Sequence, residues 1–217
     1  MYARHSLVWL TADGWRAAGA AAPEHAGVLA RWQAADWPLV SRRRDDDAGD
    51  DELCLGLALP PDPASGAKLR IALRAPAAQV ARSTPPLSLK AVLATAPEKW
   101  RRQLALLNDD SVGLSLRVYG SLALQTLTGQ AYLQPSSDID ILFYPATAQQ
   151  LRSGLALLST FGATLPLDGE IVFPNGEAVA WKEWRAAVQH PAHVLAKGSG
   201  AVRLAPLESL LATLRSE

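Results

Sequence analysis

Residues 118–143 read VYGSLALQTLTGQAYLQPSSDIDILF, and the order of residue types in this stretch decides the fold. A short apolar strand around Val118 runs into Gly120-Ser121, a helical pattern follows in GSLALQTLTG, and a polar loop leads to a second strand, SDIDILFYP. The period switches from strand to helix and back. Within the second strand Asp138 and Asp140 are two residues apart, so they project to one face while Ile139 and Ile141 project to the other. Adjacent carboxylates repel and would take up a proton unless a divalent cation lies between them. Mg²⁺ suits the arrangement, because it is held by few carboxylates and completes its shell with water and substrate phosphates. Gly120 lets the backbone approach a ligand closely, and a helix opening at Ser121 aims N–H groups and a hydroxyl at an anion. The stretch is built for a polyphosphate.

The rest of the chain sets bounds on this reading. It has 217 residues, 49% of them hydrophobic, with 21 acidic and 21 basic residues, an ordinary globular composition. A net charge of zero provides no whole-molecule field for a polyanion, so neither nucleic acid nor a membrane surface is an expected partner. One cysteine, Cys54, excludes an internal disulfide, and no CxxC or His/Cys cluster offers a zinc site. His5, His25, His190 and His193 show no ligand spacing. The apolar stretch near the N-terminus is too short for a signal-peptide core, and no segment reaches membrane-spanning length, so a cytoplasmic protein is expected.

Around residues 118–143 the organisation is α/β (α+β). LVWL (7–10), WPLVSRR (37–43), ELCLGLALP (52–60) and KLRIALR (68–74) are short strand candidates bounded by Gly, Pro or charge, and predict a small β-rich N-terminal domain over residues 1–84. RRRDDDAGDDE (42–52) reads most simply as a solvated loop, yet adjacent guanidinium groups at a strand end can grip a phosphate, which makes Arg43 a substrate-binding candidate. The Pro pair in ARSTPPLSL (81–89) marks a connector to the second domain, residues 85–217. There, Trp100, Leu104 and Leu107 form one stripe of a helix opened near Pro97. ATAQQLRSGLALLSTFG predicts a helix ending at Gly162, and EIVFPNGEAVAWKEW predicts two strands joined at Asn175-Gly176. AVRLA reads as a strand before a final helix opened by Pro206.

Gly120-Ser121 followed by Asp138-Ile-Asp140 resembles the signature of the nucleotidyltransferase superfamily, the fold of polymerase β and kanamycin nucleotidyltransferase. The layout RHSLVWL, WPLVSRR, PPLSL, VYGSLALQTLTG, SDIDILF, LDGEIVFPNGEAVAWKEW and HVLAKG is similar, over nearly the whole chain, to the malonate decarboxylase holo-acyl-carrier-protein synthases, the MdcG family of phosphoribosyl-dephospho-CoA transferases. That resemblance implies a polymerase β-like catalytic domain. It also implies transfer of the phosphoribosyl-dephospho-CoA group from its triphosphoribosyl precursor to a serine of the decarboxylase acyl carrier protein, with release of pyrophosphate. Asp138 and Asp140 are then the metal ligands and catalytic acids, and Gly120 and Ser121 the phosphate holders.

Superfamily members usually carry a third acid on a later strand. A two-residue turn at Asn175-Gly176 would oppose Phe173 to Ala178 and put Asp168, Glu170 and Glu183 on one hairpin face. The superfamily pattern favours Glu183 on the returning strand, with Glu170 or Asp168 as alternatives, against a plain cross-strand charge cluster with Lys182. Lys197 could neutralise a phosphate oxygen or simply be solvated, and Trp181 could stack on an adenine or be buried. Two other functions share part of this pattern: a nucleotidyltransferase that uses ATP to modify a small molecule or protein, and a catalytically silent binding module. Retention of both Asp138 and Asp140 argues against the second.

Overall fold

The computed structural model describes residues 2–189 and 193–215; His190 lies outside them. The chain divides into two units, Met1–Pro86 with Leu127–Tyr132, and Leu87–Thr126 with Leu133–Glu217. Both combine helices with an extended sheet, a mixed α/β architecture.

In the first unit the strand candidates become β1 (Leu7–Leu10), and, after two helices α1 (Ala12–Ala21) and α2 (Ala26–Ala34), β2 (Leu39–Ser41), β3 (Glu52–Ala58), β4 (Arg70–Pro76) and β5 (Val80–Thr84). They form one antiparallel sheet in the order β4-β3-β2-β1-β5. The two helices were not expected. Their alanine-rich sequence favours helix without marking a wide apolar stripe, and the packing is done by Trp15, Ala18, Leu29 and Trp32. Thr11 caps α1 by accepting from the Gly14 N–H at 3.1 Å. The expected connector is also partly strand: Val80–Thr84 pairs with β1 as an exposed edge, and Leu87–Ser88 joins the second sheet.

The charged loop of this unit is solvent-exposed at Asp46, Asp47, Asp50 and Asp51, as expected, and also carries an ion-pair ladder. Asp45 accepts from Arg42 at 2.7 Å and from Arg74 of β4 at 3.0 Å, and Arg74 also bonds Asp47. The Arg42 hydrogen bond, opposed by partial burial and reinforced by Arg74, holds the Asp45 carboxyl far below the usual carboxylate range. Arg44 donates to the Ala48 carbonyl at 2.6 Å and approaches Asp50. Arg43, between these, is exposed.

The second unit begins with β6 (Leu87–Ser88), α3 (Leu89–Val92), α4 (Glu98–Asp110), β7 (Leu116–Tyr119), α5 (Gly120–Thr128) and β8 (Ile139–Phe143). It continues with α6 (Ala148–Phe161), β9 (Leu167–Val172), β10 (Ala178–Ala180), α7 (Trp181–Gln189), β11 (His193–Lys197), β12 (Val202–Pro206) and α8 (Leu207–Leu211). The sheet order is β12-β11-β10-β9-β8-β7-β6. Strands β8 and β9 are parallel, joined by the crossover helix α6, and the remaining neighbours are antiparallel. Alternation divides each strand between two faces. Val118, Ile139, Ile141, Phe143, Leu167, Ile171, Val179 and Val194 enter one core with Trp100, Leu104 and Leu107 of α4, Leu158 and Phe161 of α6, and Trp181 and Trp184 of α7. Tyr119, Asp140, Asp168 and Glu170 therefore belong to the opposite face.

The hairpin between β9 and β10 forms with a different register from the one expected. Val172, not Phe173, opposes Ala178, and Phe173 N–H donates to the Glu177 carbonyl at 2.8 Å. The loop is thus the three residues Pro174-Asn175-Gly176, with Gly176 at φ +84° in the left-handed position such loops need. The returning strand stops at Ala180, and Trp181 opens a helix.

Candidate active site

The site is built at the elbow between β7 and α5. Gly120 has φ +69°, and a side chain there would place its Cβ 1.9 Å from Asp140 Oδ2, so the carboxylate rests against the bare glycine backbone. Register aligns Asp140 with Tyr119 on one side and with Asp168, on the parallel strand β9, on the other. Asp140 and Asp168 hence stand at the same level of neighbouring strands and on the same face. Gly169 tightens this junction: at φ +129°, any Cβ there would fall 1.9 Å from the Ile141 carbonyl oxygen. Asp138, exposed, immediately precedes β8, and the Ile139 N–H donates to the Pro166 carbonyl at 2.9 Å, continuing the ladder at that end. Ser121 follows in the first turn of α5, half-buried.

The three candidates for a third acid occupy different environments. Asp168 is 46% exposed, with Lys182 Nζ 3.4 Å from its Oδ1. Glu170 is only 6% exposed, and Lys197 Nζ lies 2.8 Å from its Oε1. Lys197 is thereby given a buried acid as partner. Glu183 is not on a strand. It sits in the first turn of α7, and its Oε1 accepts from the Leu195 N–H of β11 at 2.7 Å, a structural bond. The expectation that placed Glu183 on the returning strand is corrected by the spacing of Trp181, Trp184 and Ala187, which is helical and was present in the sequence. Trp181 is 2% exposed, with Arg185 and Lys182 over its ring, so it is not a stacking platform for an adenine.

The structure thus brings Gly120, Asp140 and Asp168 together, with Ser121 and Asp138 adjoining along the chain, and places Glu183 on α7 with its carboxylate bonded to the Leu195 N–H. Arg43 belongs to the other unit. Among the described residues no group of three or more His, Cys, Asp or Glu side chains forms a ready-made metal cage. The donor set instead fits an ion that takes one or two carboxylates and leaves its other positions to water and substrate phosphates, the habit of Mg²⁺. The bare backbone of Gly120 makes room for the Asp140 carboxylate, which a Cβ there would displace.

Comparison with known proteins bears on the whole chain. The family model for the phosphoribosyl-dephospho-CoA transferase MdcG N-terminal domain matches residues 3–86, and that for the MdcG C-terminal domain matches residues 88–208. The chain belongs to the MdcG family of phosphoribosyl-dephospho-CoA transferases. A phosphoribosyl-dephospho-CoA transferase of Xanthomonas campestris pv. campestris (strain 8004) is 37% identical over 214 residues, 97% of each chain. A transferase of the same name from Bradyrhizobium diazoefficiens is 37% identical over 186 residues, 83% of this chain and 80% of the relative. No solved structure matches the chain. Among the described residues no helix is long and apolar enough to cross a membrane.

Proposed function

We propose that this MdcG-family chain transfers the phosphoribosyl-dephospho-CoA group from 2'-(5''-triphosphoribosyl)-3'-dephospho-CoA to a serine of the malonate decarboxylase acyl carrier protein, by nucleotidyltransferase chemistry. The family supports the transferred group, and the observation that carries the chemistry is the alignment of Asp140 with Asp168 beside the Gly120 elbow. In this reading the serine Oγ attacks the phosphorus nearest the ribose, the bond from that phosphorus to the bridging oxygen breaks, and pyrophosphate leaves with the electron pair. Asp138 and Asp140 would hold Mg²⁺, which when bound offsets the negative charge gathering on the leaving phosphates. Asp168 accepts the serine proton, and the Ser121 hydroxyl with the first N–H groups of α5 binds the outer phosphates. Residues 1–84, with Arg43, help hold the precursor, and residues 85–217 carry the reaction.

The reading is tested by intact-mass spectrometry of the apo carrier protein incubated with the enzyme, Mg²⁺ and either triphosphoribosyl-dephospho-CoA or ATP. The expected result is a mass gain of one phosphoribosyl-dephospho-CoA unit with the first donor alone. A gain of AMP from ATP would assign a different donor, and no gain from either would remove the transfer reaction.

A further inference from the structure

The acid site accounts for one end of a long substrate, and the rim of the sheet at β7 offers a second anionic contact. A cleft of about 480 Å³ lies within the second unit, walled by the end of α4 and the start of α6 and lined in part by Asn108, Ser111, Ser115, Arg117, Tyr144 and Gln150. Its volume suits a ligand fragment of nucleotide size. Among the described residues that line it, Arg117 is the single charged one, and none is an acid. Several polar groups are committed to the wall itself: Gln150 accepts from the Ala146 N–H at 2.8 Å and donates to the Gly113 carbonyl at 3.1 Å, and Ser111 donates to the Asn108 carbonyl at 2.8 Å. The wall is thus fixed by its own hydrogen bonds, while half-buried Arg117 and exposed Ser115 also line the space.

Register sets where this cation stands relative to the acids. Arg117 pairs with Leu142 and Tyr119 with Asp140, so Arg117 shares the acid face, two residues down β7 from the residue beside Asp140. Two strand residues span roughly 7 Å. A polyanionic donor with two charged segments would meet carboxylates suited to a metal at one segment and a guanidinium at the other.

We propose that the Arg117 cleft is a subsite for the diphosphate ester of the dephospho-CoA moiety. This rests on the donor assigned above. Arg117 binds the diphosphate oxygens through its fork of N–H groups, and Ser115 supplies a hydroxyl at the same rim. The residues act on binding and orientation, and the bond-making step remains at Asp138, Asp140 and Asp168.

Calorimetric titration separates the two segments, with 3'-dephospho-CoA as one probe and inorganic tripolyphosphate with Mg²⁺ as the other. Arg117→Gln should weaken dephospho-CoA binding about tenfold or more, the scale of a lost charge-assisted contact, and leave tripolyphosphate binding unchanged. Ser115→Trp, at an exposed position, should obstruct dephospho-CoA in the same way without altering charge. In turnover, Arg117→Gln should raise KM for the triphosphoribosyl donor far more than it lowers kcat. Wild-type affinity for dephospho-CoA in both variants, or equal weakening of both probes by Arg117→Gln, overturns the subsite. A wild-type chain that binds dephospho-CoA through Arg117 but leaves the apo carrier protein unmodified would uphold the subsite and sink the transfer reaction.

Discussion

Two groups of aspartates in this chain, Asp45 with Asp47 in the first unit and Asp138, Asp140 and Asp168 in the second, show how the same side chain serves opposite ends. In the loop after β2, each carboxylate is met by a guanidinium: Arg42 and Arg74 on Asp45, and Arg74 again on Asp47. Such pairs fix a loop and satisfy the acids from within the protein. On the face of the second sheet opposite its main core the acids are placed beside one another, with Asp140 and Asp168 level on parallel strands and a glycine elbow against Asp140. Here the cations nearby are lysines, Lys182 beside Asp168 and Lys197 on the neighbouring Glu170, and like charges set side by side gain further from a bound cation. Asp45 and Asp47 in the loop are clamped by guanidinium groups, whereas the sheet acids are aligned with one another across strands with a lysine at their edge.

The largest test of this contrast is removal of the central acid. Asp140→Ala should lower the transfer rate about a thousandfold or more, since it deletes a proposed metal ligand at the reacting phosphate. Its thermal midpoint should stay near the wild-type value, because the change also relieves repulsion. Turnover near wild type at saturating Mg²⁺ would remove Asp140 from the chemistry. A smaller but still severe effect is expected for Asp168→Asn, about a hundredfold, the usual scale for loss of a general base. Glu183→Gln should be nearly silent in single-turnover rates, because an amide oxygen can still accept from the Leu195 N–H. A severe Glu183→Gln with a mild Asp168→Asn would restore the returning-strand assignment. Ser121→Ala should weaken donor binding by about 1 to 3 kcal/mol, one hydrogen bond to a charged group. Unchanged affinity would move the phosphates elsewhere.

The loop aspartates give the smallest effect, and a different readout. The folded pKa values of Asp45 and Asp47 lie below the unfolded carboxylate value, so the unfolded chain binds more protons in that window. Their stabilisation is complete above the unfolded pKa near 4 and is lost as pH falls through the folded values. Asp45→Asn should therefore flatten the acid-side slope of denaturant midpoint against pH while leaving transfer intact. An unchanged slope would show that the ladder adds nothing to stability.

Much of the second unit was legible locally. The stripe of Trp100, Leu104 and Leu107 gave α4, the run before Gly162 gave α6, and Gly120-Ser121 gave the elbow, because each rests on spacing within a dozen residues. The hairpin register slipped by one because Pro174 was read into a strand, although a residue lacking an N–H fits a turn better. Edge strand β5 was missed because its exposed ARST residues show no buried alternation. Asp168 was already one of three candidates for the third acid, but its standing level with Asp140 lay beyond local reading. That alignment depends on two parallel strands meeting across α6, and no spacing within either strand specifies that register.

The most direct measurement is single-turnover transfer to the apo carrier protein, followed by intact mass, for Asp140→Asn and Asp45→Asn side by side at saturating Mg²⁺ and donor. The account expects no mass gain with Asp140→Asn and a full gain at the wild-type rate with Asp45→Asn. A wild-type rate from Asp140→Asn would contradict it.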